Sequence, residues 1–154
     1  MTITYTNHVE TITDSLRYLL VQEFNCEIVQ EEKFVSKHLD KGEYFNYYLT
    51  EQPIELLHSD GETRNYTFEC KWFFNTKQFE FRKTFDDLVS ERIERLKRLL
   101  YNNRSYTPSN VYKWHHLVTE IEKSFYLIEE DEETNYAHVL CVPITIIITR
   151  SDFN

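Results

Sequence analysis

Apolar residues recur at helical spacing between about His8 and Phe24, where Val9, Ile12, Leu16, Leu19, Leu20 and Phe24 form one stripe in an otherwise polar segment. The pattern predicts an amphipathic helix. Asn7 stands where a side-chain oxygen can accept a first-turn backbone N–H, and Glu10 has the spacing of the reciprocal half of a capping box. From Cys26 to Leu57 the pattern becomes short, aromatic and partly alternating, as in Tyr44-Phe45-Asn46-Tyr47-Tyr48-Leu49, until Pro53 interrupts it. Strands are predicted there.

Ser59-Asp60-Gly61 is a turn signal, after which Tyr66, Phe68, Cys70, Trp72 and Phe74 alternate with Thr67, Glu69, Lys71 and Phe73. This is the pattern of a half-buried strand. A second helix is predicted from about Phe85 to Tyr101, with Phe85, Leu88, Val89, Ile93, Leu96, Leu99 and Leu100 as its buried stripe. Thr84, Asp86 and Asp87 suit its start, Lys97 and Arg98 suit the negative end of its dipole, and Asn102-Asn103 suits its stop. Glu91 with Arg95 and Glu94 with Arg98 have the spacing of ion pairs on its wet face. Val111 to Val118 reads as a further strand. The strongest strand pattern runs from Val139 to Thr149, with Leu140, Val142, Ile144, Ile146 and Ile148 on one face and Cys141, Pro143, Thr145, Ile147 and Thr149 on the other. Two helices separated by blocks of strands predict an α+β fold: a mainly antiparallel sheet with two amphipathic helices packed on one face.

Composition narrows the picture. Hydrophobic residues make up 41% and aromatics 16% of the 154 residues, too apolar for intrinsic disorder. Two Gly and three Pro argue against a long flexible linker, so residues 1–154 are read as a single domain. The formal charge of −9 sets up a field that repels phosphate, which counts against nonspecific binding to nucleic acid or to an anionic membrane. Cys26, Cys70 and Cys141 are odd in number and lack a C-x-x-C pair, so reduced thiols are expected rather than disulfides or a zinc ribbon. Met1 to Glu10 lacks the pattern of a secretory signal, and the apolar run Val139 to Ile148 is too short to span a bilayer as a helix.

Asp60 followed by Glu69 and Lys71 fits the Asp…Glu-x-Lys arrangement of metal-dependent nucleases, in which carboxylates hold Mg²⁺ and the lysine orients water or stabilises phosphate charge. The solvent face of an ordinary strand predicts the same residues, and that reading is preferred. His115 and His116 would point to opposite faces of a strand, which prevents simple chelation, and His138 stands apart. No Gly-rich phosphate loop, G-x-S-x-G elbow or H-E-x-x-H motif occurs. The run Glu129-Glu130-Asp131-Glu132-Glu133 lacks the spaced ligands and central glycine of an EF-hand loop and reads as a solvated loop. No catalytic, cofactor or metal residues are assigned, and none of these features requires a cofactor.

The order of elements, from the opening helix through aromatic strands to a Phe-Asp-Asp-started helix bearing Glu91-Arg92-Ile93-Glu94-Arg95-Leu96, then Tyr112-Lys113-Trp114 and the strand Val139 to Ile146, resembles the tail terminator and tail-completion (neck) proteins of tailed bacteriophages. The resemblance covers most of the chain and rests on element order and residue class. It implies a structural virion protein that forms a ring, usually a hexamer, capping the tail tube and joining it to the head connector. Implied partners are further copies of the chain, the tail tube protein, and neck or head-connector proteins. Genomic DNA would pass through the lumen without specific binding, and no membrane partner is implied. The expected location is the virion tail or neck, assembled in the host cytoplasm. Ile144, Ile146, Ile147 and Ile148, apolar on both strand faces, are expected in a core strand or an oligomer interface. Glu129, Glu130, Asp131, Glu132 and Glu133 would line the lumen or lie on the outer rim. The alternatives from other classes are the nuclease using Asp60, Glu69 and Lys71, and an unrelated protein-binding module.

Overall fold

A computed structural model describes residues 2–3, 7–31, 36–52, 54–59, 61–75, 82–103, 116–121, 126–128 and 139–153. In chain order the elements are α1 (His8–Glu23), β1 (Glu27–Val29), a 3-10 turn (Ser36–Leu39), β2 (Glu43–Glu51), β3 (Ile54–His58), β4 (Gly61–Asn75), α2 (Arg82–Asn102), β5 (His116–Ile121), β6 (Tyr126–Ile128) and β7 (Val139–Phe153). The cap of α1 is reciprocal. Asn7 Oδ1 accepts the Glu10 N–H at 3.2 Å, and Asn7 Nδ2 donates to Glu10 Oε2 at 3.4 Å, so the return bond runs to the cap's side chain. At the other end Phe24 turns to extended backbone while its N–H still reaches the Leu20 carbonyl at 2.9 Å.

The strands form one seven-stranded sheet in the order β1-β2-β4-β7-β5, with β3 also on β4 and β6 also on β7. Among the described residues every pairing is antiparallel except β1 with β2. The spine is the pair β4 and β7, fifteen residues each, in continuous register from Gly61 opposite Phe153 to Asn75 opposite Val139. The other flank of β4 is shared: β2 covers Thr67 to Phe74 and β3 covers Gly61 to Arg64. Pro143 has no N–H to give, yet it lies inside β7. Among the described residues, β6 pairs β7 up to Cys141 and β5 from Ile144, so the proline falls where that flank is interrupted.

Both helices cover the same face of the sheet. Ile12, Leu16, Leu19 and Leu20 of α1 and Val89, Leu96 and Leu100 of α2 join Phe45, Tyr47, Tyr66, Phe68, Cys70, Trp72, Phe74, Val142, Ile144, Ile146 and Ile148 in one buried cluster. The two-residue period of the strands places these side chains on the inner face, and burying each large one stabilises the fold by about 1.5–3 kcal/mol before entropy is counted. The outer face is more polar, with Thr67 and Lys71 half-buried and Glu69 exposed.

Five details differ from the sequence expectation. Helix α2 starts at Arg82, a turn before Phe85, and β7 continues past Thr149 to Phe153. The strand expected over Val111 to Val118 is β5, His116–Ile121, while residues 111–115 lie outside the described residues. Phe73, grouped with the wet face by alternation, is 1% exposed because Leu39 of the 3-10 turn, Tyr44 and Cys141 pack with it in a second small cluster. Glu94 faces Lys97 at 3.4 Å instead of Arg98, whereas Glu91 and Arg95 do pair, at 3.1 Å.

Candidate functional site

Glu69 and Lys71 lie two positions apart on the outer face of β4, opposite Tyr48 and Asn46 of β2. Glu69 is exposed and accepts a hydrogen bond from the Tyr48 hydroxyl at 2.8 Å, so this carboxylate belongs to a cross-strand pair. Asp60, the third member of the nuclease arrangement, lies outside the described residues, as do His115, His138 and the run Glu129 to Glu133. His116 is in β5 opposite Thr149. Ile144, Ile146 and Ile148 are 0–2% exposed in the inner core, and Ile147 points to the outer face opposite Thr67 and Val118, half-buried. The strand carrying them is interior to the sheet, with β4 on one side and β5 and β6 on the other.

Three polar constellations depend on long-range register, and no local motif marks them. The first centres on Glu43 at the start of β2. Arg92 of α2 binds its carboxylate through Nη2 at 2.9 Å and Nε at 3.2 and 3.3 Å, and Trp72 Nε1 donates to it at 3.0 Å. The Glu43 and Arg92 side chains are only 15% and 19% exposed, so α2 is fastened to the sheet by a charge-assisted bond largely out of water. Hydrogen bonding to Glu43 raises the affinity of the guanidinium for its proton despite desolvation. One turn on, Arg95 binds Glu23 Oε1 at 3.0 Å and the Glu23 carbonyl at 2.7 Å, and its guanidinium lies 5.2 Å from the centre of the Phe24 ring. That arginine closes the C-terminal end of α1, where a cation meets the negative end of the helix dipole.

The second constellation surrounds the 3-10 turn. His38 contacts Glu27 Oε2 through Nδ1 at 2.6 Å and Glu31 Oε1 through Nε2 at 3.4 Å. Gly42, with φ of 99°, takes a backbone conformation that a side chain would oppose; it donates its N–H to the Leu39 carbonyl and accepts the Asn75 N–H, each at 2.8 Å. The third is Arg150, 8% exposed on the inner face of β7, which donates through Nη1 to His8 Nδ1 at the start of α1.

The cysteines are thiols in two different settings, buried for Cys70 and Cys141 and half-buried for Cys26. Burial, reinforced by the Glu43 charge, pushes the Cys26 thiol up to about 12, and burial also holds Cys70 well above the usual thiol range. Both are therefore protonated and unreactive near neutrality, the opposite of an activated nucleophile. Burial likewise pushes the Tyr47 phenol up to about 12.

Apolar side chains reach solvent at the flank of the sheet. Ile54 and Leu57 of β3 are 50% and 74% exposed, on a strand paired to β4 alone among the described residues. A strand with one free edge and exposed apolar side chains can add a further strand or pack against an apolar partner. No helix of the described residues is long and apolar enough to cross a membrane. Comparison of the sequence with protein-family models and with curated proteins finds no match.

Proposed function

We propose that this chain is a non-enzymatic structural protein of a tailed-bacteriophage virion, a tail terminator or tail-completion protein that assembles into a hexameric ring on the tail tube and joins it to the neck or head connector. The observation that carries the reading is the flank of β3, which pairs with β4 alone among the described residues. A rigid sheet whose two longest strands are satisfied internally presents Ile54 and Leu57 at its flank, and contact with another copy would remove both from water. Because β7 is interior, its isoleucines serve the subunit's own core and the β3 flank is assigned to the contact between subunits. The charge of −9 suits a ring that DNA traverses without adhering, to which Glu129 to Glu133 would contribute from the lumen or from the outer rim. Assembly would take place in the host cytoplasm.

The test is the mass of the particle, measured by size-exclusion chromatography with light scattering, for the protein alone and with its tail tube. Leu57→Lys should prevent ring formation while changing the urea midpoint by no more than about 0.5 kcal/mol equivalent, as expected for an exposed position. A protein that stays monomeric under both conditions removes the ring. A ring that persists in the Leu57→Lys variant removes β3 from the interface.

A further inference from the structure

We propose, on the reading that this chain forms a ring, that neighbouring copies join by strand addition: the β3 edge of one copy pairs antiparallel with the β5 edge of the next, four residues out of step. Among the described residues β3 pairs with β4 alone and β5 with β7 alone, so the two strands stand on opposite flanks of the sheet. A contact between two different flanks repeats head to tail and can close into a ring, whereas a flank that meets its own counterpart stops at a dimer. Lysine and proline are the residues that most often blunt a strand edge. Neither occurs within Ile54–His58 or His116–Ile121, and each strand carries a single acid, Glu55 and Glu120.

Strand direction agrees with this contact. β3 runs antiparallel to β4, β4 to β7 and β7 to β5, so β3 and β5 of one copy run in opposite directions. A second copy set beside the first in the same orientation therefore brings β5 against β3 as an antiparallel pair. The irregularity between Ile54 and Leu56 gives β3 its apolar side. Ile54 lies opposite Arg64 and Leu57 opposite Glu62, so two exposed residues three apart in sequence share the face on which the helices lie.

Register fixes the stagger. β3 is level with Gly61 to Arg64 of β4, and β5 is level, through Thr149 to Ile144 of β7, with Asn65 to Cys70. Only an even shift keeps the helix-covered faces of two joined copies on one side, and full overlap of the strands then leaves shifts of four or six. A shift of four sets Leu57 opposite Leu117, Leu56 opposite Val118 and His58 opposite His116. A shift of six would set Leu57 opposite Thr119 and Leu56 opposite Glu120, so the apolar match selects four. At about 3.3 Å per residue, four residues displace each copy by about 13 Å along the strands, while β3, β4, β7 and β5 together span about 19 Å across them. That ratio inclines the strands by about 35° to the ring axis, a tilt at which sheets close on themselves.

Cross-linking reads the contact. The double variant His58→Cys with His116→Cys, in a Cys26→Ala background, is assembled with the tail tube and oxidised, and the particle mass is followed by light scattering. Non-reducing electrophoresis should show covalent multimers up to the size of the ring, while each single-site variant stays monomeric on the gel. A ring by mass that yields no covalent multimers overturns the strand pairing and leaves the ring standing, whereas absence of the ring removes both. Covalent dimers from His58→Cys alone would place β3 against its own counterpart and overturn the β5 contact. Preferential cross-linking of His58→Cys to Val118→Cys would overturn the four-residue stagger. If the double variant does not fold by circular dichroism, hydrogen exchange of the unaltered chain decides. The β3 amides should exchange at least about tenfold more slowly in the ring than in the Leu57→Lys variant, and equal rates would overturn the proposal.

Discussion

Arg92 and Arg95 lie one turn apart on α2 and each binds a glutamate from elsewhere in the chain, yet their truncation should have different consequences. Arg92→Ala leaves the Glu43 carboxylate, 15% exposed, with the neutral Trp72 N–H as its remaining described donor. Breaking a fully buried pair by removing one partner costs about 3–5 kcal/mol, and some access to water brings the expected loss to about 2–3 kcal/mol. Arg95 and Glu23 are 37% and 38% exposed, where an ion pair contributes about 0.2–1 kcal/mol. Adding the contact over Phe24, worth about 0.5–1 kcal/mol, brings Arg95→Ala to about 0.7–2 kcal/mol. Urea denaturation followed by circular dichroism measures both. The decisive variant is the double substitution Glu43→Gln with Arg92→Ala, which removes the stranded charge and should recover at least about 1 kcal/mol relative to Arg92→Ala alone. If Arg92→Ala costs no more than Arg95→Ala, or the double variant recovers nothing, burial is not what sets the strength of the Glu43 site.

Two further outcomes follow from the core. Trp72→Ala should cost about 3–5 kcal/mol in urea unfolding, since the ring meets Phe24 and Phe45 edge-on and stacks on Phe74 within 4.7–5.9 Å; an unchanged midpoint would place it outside the core. Cys26 ties stability to alkaline pH: its thiol titrates near 9.0 when unfolded and at about 12 when folded, so the unfolded chain loses a proton that the native one keeps. Stability is intact below the lower value and falls by up to about 1.4 kcal/mol per pH unit above it. Cys26→Ala should flatten that slope by close to one proton in denaturation series across the window, and an unchanged slope would exclude the thiol as its source.

The parts of the fold legible in the sequence are those where one periodicity spans many residues. The stripe from Val9 to Phe24 specifies α1, and the alternation around Tyr66 to Phe74 and Leu140 to Ile148 specifies the two long strands. Local pattern falls short where coverage depends on a distant segment: Phe73 is buried because Leu39 lies over it, and spacing within β4 carries no trace of that. The start of β4, Gly61 to Asn65, is polar on both faces and carries no strand pattern of its own, being held by pairing to β3 and β7. The same limit explains the candidate sites. Glu43 with Arg92, and His38 with Glu27 and Glu31, are joined by register and packing, and each residue alone reads as ordinary surface charge. Gly42 before the Glu43–Glu51 strand is a usable signal, since a scarce residue type there marks the turn that delivers Leu39.

The uninterrupted β4–β7 ladder has a consequence for how the protein comes into being. It joins Gly61 to Phe153 and Asn75 to Val139, so the central seam of the sheet closes only after α2, β5 and β6 have been made. Until β7 is available, the aromatic row of β4 has an unfilled flank. Pairing at such separation is slow to nucleate, because the loop must be closed before any rung repays it. In that interval Tyr66, Phe68, Trp72 and Phe74 offer an open template to any other nascent copy, and a high local concentration of chains would favour mispairing in trans. The strand that completes the subunit also ends its exposure to aggregation, which makes the arrival of β7 the step on which soluble yield depends.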